Sequence, residues 1–285
     1  MRILLTGANG QLGYELQRAL SGEDLILADQ PDYELTDPKI RDKIALTRPN
    51  VVIHTAGYTD VDGCERDPET AFTVNAQGTR RVAEGAAKAN ARLIYISTDY
   101  VFDGKKTEPY TEHDPVNPLN VYGRSKLIGE QEALKACPSV LIVRTSWLYG
   151  AHGKNFVKTI LQLAATRPEI RVVDDQRGSP TYARDLASVI SELIRRGIIG
   201  VVHAGGEGEC SWYEFAVAIV QEAGCDCRLI PISTAESGRL AIRPPYSVLS
   251  TALLQQYGLS LLPWRVGLQR FIADQTALGS STVRN

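Results

Sequence analysis

Arg2-Ile3-Leu4-Leu5-Thr6-Gly7-Ala8-Asn9-Gly10-Gln11-Leu12-Gly13 sets three apolar residues and a threonine ahead of three glycines spaced three apart, and leads into a segment of helical pattern. A short apolar run of this kind reads as a buried strand. Glycine directly after a strand permits a tight turn and a close approach of backbone to a ligand, and the helix that follows turns its unpaired N–H groups toward the same place. A turn that only reverses the chain needs no such order. Strand, glycines and helix in succession make a cradle for the pyrophosphate of a dinucleotide.

Outward from that stretch, residues 25–28, 51–55 and 93–97 repeat the short apolar, β-branched run, and residues 11–20, 38–47 and 69–89 between them have helical character. Strand then helix, repeated, predicts an α/β fold with a parallel sheet and right-handed crossovers. The alternation continues through a helix over 121–135, a strand over 140–145 and a helix over 156–165. The expectation is a doubly wound Rossmann fold over residues 1–150. Beyond it the pattern loosens: strands at 170–173 and 201–204, helices at 183–196 and 212–223. Residues 151–285 are expected to form mainly a smaller lobe that binds substrate, with 183–204 free to pack back on the first unit. The closing run 279–285 is small and polar, the composition of a frayed end.

Composition narrows the function. The chain has 285 residues, 44% hydrophobic and 22% charged, and 31 Lys+Arg against 33 Asp+Glu leave a formal net charge of -2. That is an ordinary globular balance, and with no long basic run to follow a phosphate backbone it argues against nucleic acid as a partner. Gly7 interrupts the N-terminal apolar run after a few residues, so no signal peptide is visible, and no stretch reaches the roughly 20 apolar residues that cross a bilayer. The expected location is the cytoplasm. The cysteines, Cys64, Cys137, Cys210, Cys225 and Cys227, are odd in number and lack metal-type spacing, so reduced thiols and no metal site are expected, with Cys225 and Cys227 an incidental pair in a loop.

Asp29, near the end of the second predicted strand, is placed to accept hydrogen bonds from an adenosine ribose, and neither Gln30 nor Pro31 offers a cation for a 2′-phosphate. NADH fits this pattern, while Arg2 or another basic residue would be needed to hold the extra phosphate of NADPH, so both cofactors stay open. Ala56-Gly57-Tyr58 follows the third predicted strand with small residues that let the backbone come near a cofactor. Tyr122 and Lys126 lie four apart in a predicted helix and share one face. A neighbouring ammonium favours the phenolate and draws the phenol pKa down from its ordinary value near 10, which makes this pair a candidate for acid–base work. The fourth predicted strand ends in Ser97-Thr98-Asp99, and ligands of open parallel sheets sit beyond the carboxyl ends of the strands, so Thr98 can reach a substrate carbonyl there.

The spacing Gly7-x-x-Gly10-x-x-Gly13, with Thr98, Tyr122 and Lys126, resembles the extended branch of the short-chain dehydrogenase/reductase superfamily. The resemblance narrows at Ser97-Thr98-Asp99-Tyr100-Val101-Phe102-Asp103-Gly104, Pro118-Leu119-Asn120-Val121-Tyr122-Gly123 and Arg144-Thr145-Ser146-Trp147-Leu148-Tyr149, which look like the family of dTDP-4-dehydrorhamnose reductases. Asn155-Phe156, Asp175-Gln176, Gly178, Pro180-Thr181 and Arg243-Pro244 before Ser247 match it too, so the likeness runs from Met1 to about Arg270. It implies that Gly7, Gly10, Gln11, Leu12, Asp29, Ala56, Gly57 and Tyr58 bind NADPH or NADH. Asp37 sits where such relatives carry an acid near the adenine, although its alternative role is to cap the helix beginning at Pro38. The implied chemistry is reduction of the 4-keto group of a dTDP-linked 4-keto-6-deoxy sugar, with Tyr122 as proton donor, Lys126 on the nicotinamide ribose, Thr98 on the developing alkoxide, and Asp99 and Trp147 against the sugar. For Trp147 the alternative is a core aromatic.

Two features depart from the family. Leu262-Pro263-Trp264-Arg265 and its surroundings lack the carboxylates by which some relatives hold magnesium at a dimer interface, so the resemblance implies no metal and leaves a homodimer open. The residues after Arg243 run Pro245-Tyr246, an altered continuation that affects the nucleotide end of the substrate. Two other functions stay in view. One is a reductase making a different dTDP-6-deoxyhexose. The other is a non-catalytic regulatory chain that keeps the fold, as in the methionine adenosyltransferase β subunit, against which an intact Thr98, Tyr122 and Lys126 argue.

Overall fold

A computed structural model describes residues 1–281, and residues 282–285, the end of the run expected to fray, lie outside the described residues. The first half runs β1 (Arg2–Thr6), α1 (Gln11–Ala19), β2 (Asp24–Ala28), α2 (Ile40–Leu46) and β3 (Val51–His54). It continues through α3 (Val61–Arg66), α4 (Pro68–Phe72), α5 (Thr79–Lys88), β4 (Arg92–Thr98), α6 (Val121–Ala136) and β5 (Val140–Thr145). The second half contains β6 (Leu148–Tyr149), α7 (Phe156–Ala164), β7 (Glu169–Val173), β8 (Arg177–Gly178), β9 (Thr181–Tyr182) and α8 (Ala183–Arg195). It ends with β10 (Gly200–His203), β11 (Cys210–Ser211), α9 (Trp212–Glu222), β12 (Arg228–Ile232), α10 (Ala252–Gln256) and α11 (Trp264–Ser281).

Six strands form one parallel sheet in the order β10-β5-β4-β3-β1-β2. Every residue of β3 and β5 is buried, because helices cover both faces of the sheet and neither side of these strands meets water. Side chains alternate between the two cores. Ile3, Leu5, Ile53 and Val143 pack under Leu12 and Leu16 of α1 and Leu186, Ile190 and Leu193 of α8. Leu4, Val52, Leu93 and Ile142 pack under Ile40 and Ile44 of α2, Val82 and Ala86 of α5 and Ala133 of α6. A fully buried side chain such as Leu16 contributes about 2 kcal/mol by its removal from water.

The chain leaves this sheet after β5 and returns to it. α8 lies against α1, and β10 pairs with β5 from Gly200 opposite Leu141 to His203 opposite Arg144. A separate core forms around the parallel pair β7 and β12, where Val157 and Ile160 of α7, Phe215 and Ile219 of α9, and Leu268 and Phe271 of α11 meet. Among the described residues no helix is long and apolar enough to cross a membrane.

One expected element is built differently. Residues 69–89 form α4 and α5 separated by a π-helical turn, Thr73–Gly78, rather than one continuous helix. The cause is tertiary. Asn75 in that turn points its amide inward, where Nδ2 donates to Tyr58 O at 2.9 Å and to Ser125 Oγ at 3.0 Å, and Oδ1 accepts from Tyr58 N at 2.8 Å. π turns of this kind gather at functional sites, and this one ties the end of β3 to α6.

Candidate active site

The carboxyl ends of β1, β3, β4 and β5 open into one cleft of about 920 Å³. It lies where strand order reverses, since β2 and β3 flank β1 on opposite sides, and such reversals leave a crevice above the sheet. Its lining includes Gly7, Gly10, Gln11, Leu12, Asp29, Ala56, Gly57, Tyr58, Thr98, Asp99, Tyr122, Lys126 and Trp147. The structure thus brings these residues together, while Asp37 and Arg2 lie outside the lining.

Gly7 shows why the loop must be glycine. Its φ is +69°, and a Cβ there would stand 2.7 Å from both Ala56 N and Thr55 Oγ1, because the ends of β1 and β3 close on each other at this point. A Cβ on Gly13 would lie 2.1 Å from Gly7 O, so α1 can pack against the turn only without one. Beneath the loop, Thr79 Oγ1 donates to Asn75 O, which leaves His54 Nε2 to donate to Thr79 at 3.1 Å and His54 Nδ1 to accept from Thr6 Oγ1 at 2.7 Å. Burial, with the Lys126 charge, lowers His54 to about 3, so it is a neutral strut. Asp29 accepts from Asn9 N and Gln30 N, each at 2.8 Å, and is held at the cleft edge with Gln30, Tyr33 and Glu34.

Asp37 is the residue that departs from expectation. It does not line the cleft; its Oδ1 accepts from Lys39 N at 2.9 Å in the turn before α2, so local turn chemistry claims the carboxylate, and Leu35 takes the wall position nearby. Arg2 is likewise remote, since it begins β1 at the opposite edge of the sheet and lies 3.7 Å from Asp24.

Ser97 and Thr98, adjacent in sequence, do different things. Ser97 Oγ donates to Glu130 Oε1 at 2.5 Å, and Arg144 closes a buried pair on the same carboxylate through Nε at 2.9 Å and Nη2 at 2.6 Å. Thr98 instead lies beside Tyr122 and Asp99, donating to Asp99 Oδ1 at 3.0 Å. Asp99 is buried, and burial pushes its carboxyl up to about 7 despite the Ser247 and Thr98 hydroxyls, which lower it. Asn120 starts α6 by accepting from Gly123 N at 2.7 Å, which fixes the first turn that carries Tyr122.

The electrostatics of Tyr122 differ from the sequence argument. Burial raises the phenol well above its ordinary value, with Thr98 lowering it and Asp99 raising it, and Lys126 is not among the leading influences. The ammonium of Lys126 is committed elsewhere, donating to Ile96 O at 2.7 Å and lying 4.2 Å from the centre of the Tyr95 ring. Burial drops Lys126 to about 7, while Glu130 one turn along raises it.

The opposite wall is aromatic. Trp147 lines the cleft with φ +45°, and its indole stacks on that of Trp212 with centroids 3.4 Å apart and planes 6° from parallel. Phe156 backs Trp212 at 4.5 Å, and Gly178 presses on Trp147 so closely that a Cβ would sit 2.4 Å from the ring. Phe156 entered the sequence reading only as part of the Asn155-Phe156 family match, and Trp212 carried no signal beyond core hydrophobicity. After Arg243, Pro244 and Pro245 pack on Gly104, where a Cβ would stand 2.6 Å from Pro245 Cδ. Arg243 pairs with Asp62 of α3 at 3.1 Å. Burial would raise Asp62, but Arg243 and the Ala241 N–H outweigh it and hold the carboxyl at about 2. All five cysteines are free, and among the described residues no group of three or more His, Cys, Asp or Glu could hold a metal ion.

Residues 1–277 match the family described as RmlD substrate binding domain. The chain is 43% identical to a dTDP-4-dehydrorhamnose reductase of Mycobacterium tuberculosis, covering 95% of this chain and 92% of that protein. It is 40% identical to a probable dTDP-4,6-dihydroxy-2-methyloxan-3-one 4-ketoreductase of Streptomyces antibioticus, over 96% of this chain and 95% of that protein. Its fold is similar to the crystal structure of dTDP-4-dehydrorhamnose reductase from Bacillus anthracis in complex with NADP, with a TM-score of 0.93 at 42% identity, covering 96% of this chain and 99% of that one.

Proposed function

The chain belongs to the family of the RmlD substrate binding domain, and on that premise we propose that it is an NAD(P)H-dependent reductase of dTDP-4-dehydro-L-rhamnose, yielding dTDP-L-rhamnose. The observation that carries this reading is the position of Thr98, Tyr122 and Lys126 at the end of β4, inside the same cleft as the Gly7–Gly10 loop. A reduced nicotinamide dinucleotide bound along that loop supplies the hydride. The glycine turn, whose side-chain space is closed by Thr55 and Ala56, fits a pyrophosphate against bare backbone, and Asp29 fits a ribose.

The residues of the chain divide the remaining work. With the sugar in place the Thr98 hydroxyl turns the proton it gives Asp99 Oδ1 in this structure toward the 4-keto oxygen, which stabilises charge as it develops there. Tyr122 gives its proton to that oxygen. Burial favours the neutral phenol, the form a proton donor requires in the reducing direction. Lys126, which burial lowers to about 7 and Ile96 O holds in place, binds the nicotinamide ribose. Asp99 and Trp147 bound the space for the sugar, and the lobe of residues 151–285 binds its nucleotide end.

NADPH and NADH both remain substrates of this reading. The Bacillus anthracis relative was solved with NADP, while Asp29 in this chain favours a free ribose hydroxyl and the residues beside it, Gln30 and Pro31, carry no cation. The Streptomyces antibioticus relative supports a second reading, in which the same machinery reduces the 4-keto group of another dTDP-linked deoxy sugar. The test is to supply dTDP-4-dehydro-L-rhamnose with NADPH or NADH and identify the product by NMR. Formation of dTDP-L-rhamnose is expected; a different epimer would select the second reading, and cofactor binding without turnover on any such sugar would overturn both.

A further inference from the structure

The segment Gly150-Ala151-His152-Gly153-Lys154-Asn155 crosses from β6 to α7 over the mouth of the phosphate loop, held by hydrogen bonds and one ring stack. Gln11, the first residue of α1, donates through Nε2 to Leu148 O at 2.9 Å and accepts at Oε1 from Asn155 Nδ2 at 2.8 Å. Asn155 Nδ2 also donates to Gly150 O at 2.8 Å. Lys158 Nζ reaches back to Ala151 O at 2.6 Å, and His152 stacks on Tyr14 of α1 with ring centroids 3.4 Å apart. Gly153 comes close enough to α1 that a Cβ would lie 3.7 Å from Gln11 Cβ.

This strap carries one charge into the cleft. Among the residues that line it, Lys126 and Lys154 are the cations, set against Asp29, Glu34 and Asp99. Lys126 is buried at the β4 end with its ammonium on Ile96 O. Lys154 is exposed beside Gly153 and Gln11, and its ammonium has no partner among the described residues. A dianionic pyrophosphate laid on the Gly7–Gly10 turn would meet backbone N–H groups and a helix N-terminus, which supply only partial charge. A full positive charge is missing from that side, and the strap holds one ready.

Resting on the reading of this cleft as a dinucleotide site, we propose that Lys154 is a cofactor-binding residue, held over the phosphate loop by the Gln11–Asn155 tie and neutralising the pyrophosphate of the bound dinucleotide. The ammonium closes the open side of the anion while the glycine turn cradles the other. The strap is already ordered by its own hydrogen bonds, so little conformational freedom is lost when the charge engages. The link also couples the second lobe to the cofactor, since the strap ends at Asn155, which caps α7 by accepting from Lys158 N at 3.0 Å.

The experiment measures Kd for NADPH and NADH by titration of the whole chain, in wild type, Lys154→Gln, Lys154→Arg and, as a control for loss of a remote surface charge, Lys105→Gln. Lys154→Gln should weaken both dinucleotides on the order of tenfold at low salt, and the loss should shrink at high ionic strength because the charge is exposed. Lys154→Arg should recover most of the affinity, and Lys105→Gln should match wild type. Equal Kd in Lys154→Gln and wild type overturns the proposal, as does a loss that appears in the KM of the sugar nucleotide and not of the dinucleotide. If wild type itself bound neither dinucleotide, the functional reading of the cleft would fall first and take this inference with it.

Discussion

The wall of the cleft around Gly7, Gly10 and Tyr58 is bare backbone, whereas the wall around Trp147 is a pair of stacked indoles. The glycine turn of the first is laid down by residues close together in sequence, since β1 stops at Thr6, Gly7 turns at φ +69° and α1 begins at Gln11, with Thr55 and Ala56 closing on it. The second depends on partners brought from far along the chain, with Trp212 opening α9 and Gly178 lying in β8. A backbone wall suits a ligand part common to many enzymes, because N–H groups recognise phosphate without reading anything else. An aromatic wall suits the variable part, because ring position reads the shape of one sugar face. Between the two lie Thr98 and Tyr122, where the proposed chemistry would take place.

The sharpest way to break this division is to remove the Tyr122 hydroxyl, the proposed proton donor, since it belongs to neither wall. Tyr122→Phe should lower kcat about 10³-fold while leaving the Kd of the dinucleotide within about twofold. A variant that kept kcat within tenfold of wild type would show that another group delivers the proton. The next effect is on stability. The Asp99 carboxyl, pushed to about 7 from its ordinary 3.8, is favoured neutral in the fold, so its contribution is most favourable below pH 4, declines as pH rises toward 7 and is a full penalty above that. Urea unfolding at pH 4.5 and pH 8 should show Asp99→Asn gaining on wild type by on the order of 3 kcal/mol across the interval. Lys126, lowered to about 7 from 10.5, acts in a separate window: its cost is full below pH 7 and is relieved as pH rises above it. A constant stability difference between Asp99→Asn and wild type at the two pH values would contradict a neutral Asp99.

The two hydroxyls at the end of β4 offer a finer comparison. Thr98→Val should cost on the order of 10²-fold in kcat by removing the donor proposed for the substrate oxygen. Ser97→Ala should leave kcat within about threefold but cost about 2 kcal/mol of stability, because its hydroxyl serves the buried Glu130–Arg144 pair. If Ser97→Ala damaged kcat as much as Thr98→Val, the split between cleft and support would be wrong.

The same contrast explains what the sequence made legible. The glycine loop, the four strands of the first hundred residues and the Tyr122–Lys126 pair all follow from short-range spacing, and the structure places each of them at the cleft. Asp37 did not follow, because an aspartate before a proline can serve a ligand or a turn, and here Lys39 N claims it. The π turn at Thr73–Gly78 left no mark in an alanine-rich run, since its cause is the contact of Asn75 with Tyr58 and Ser125. The lowered phenol pKa expected from Lys126 needed the ammonium to be free, and Ile96 O holds it instead. Burial and long-range partners decide these features, and neither can be counted along a chain.

Trp212 gives the mildest and most specific test of the aromatic wall. Trp147 holds φ +45°, a strained value for a tryptophan, and a strained backbone persists only where the surroundings enforce it. Gly178 presses on one side of the indole and Trp212 covers a face, so on the proposed function Trp212 positions the surface that Trp147 would offer the sugar. Trp212→Ala should raise the KM of the sugar nucleotide about fivefold, the worth of one aromatic pair, with the Kd of the dinucleotide unchanged. Trp212→Phe should restore most of the loss, because a phenyl ring still covers the indole. A residue that merely stabilised α9 would change the unfolding midpoint in both variants without separating the two ligands. A shift of dinucleotide Kd equal to the shift in sugar KM would therefore mean that the two walls are one structure, and that the division between backbone and aromatic recognition does not hold.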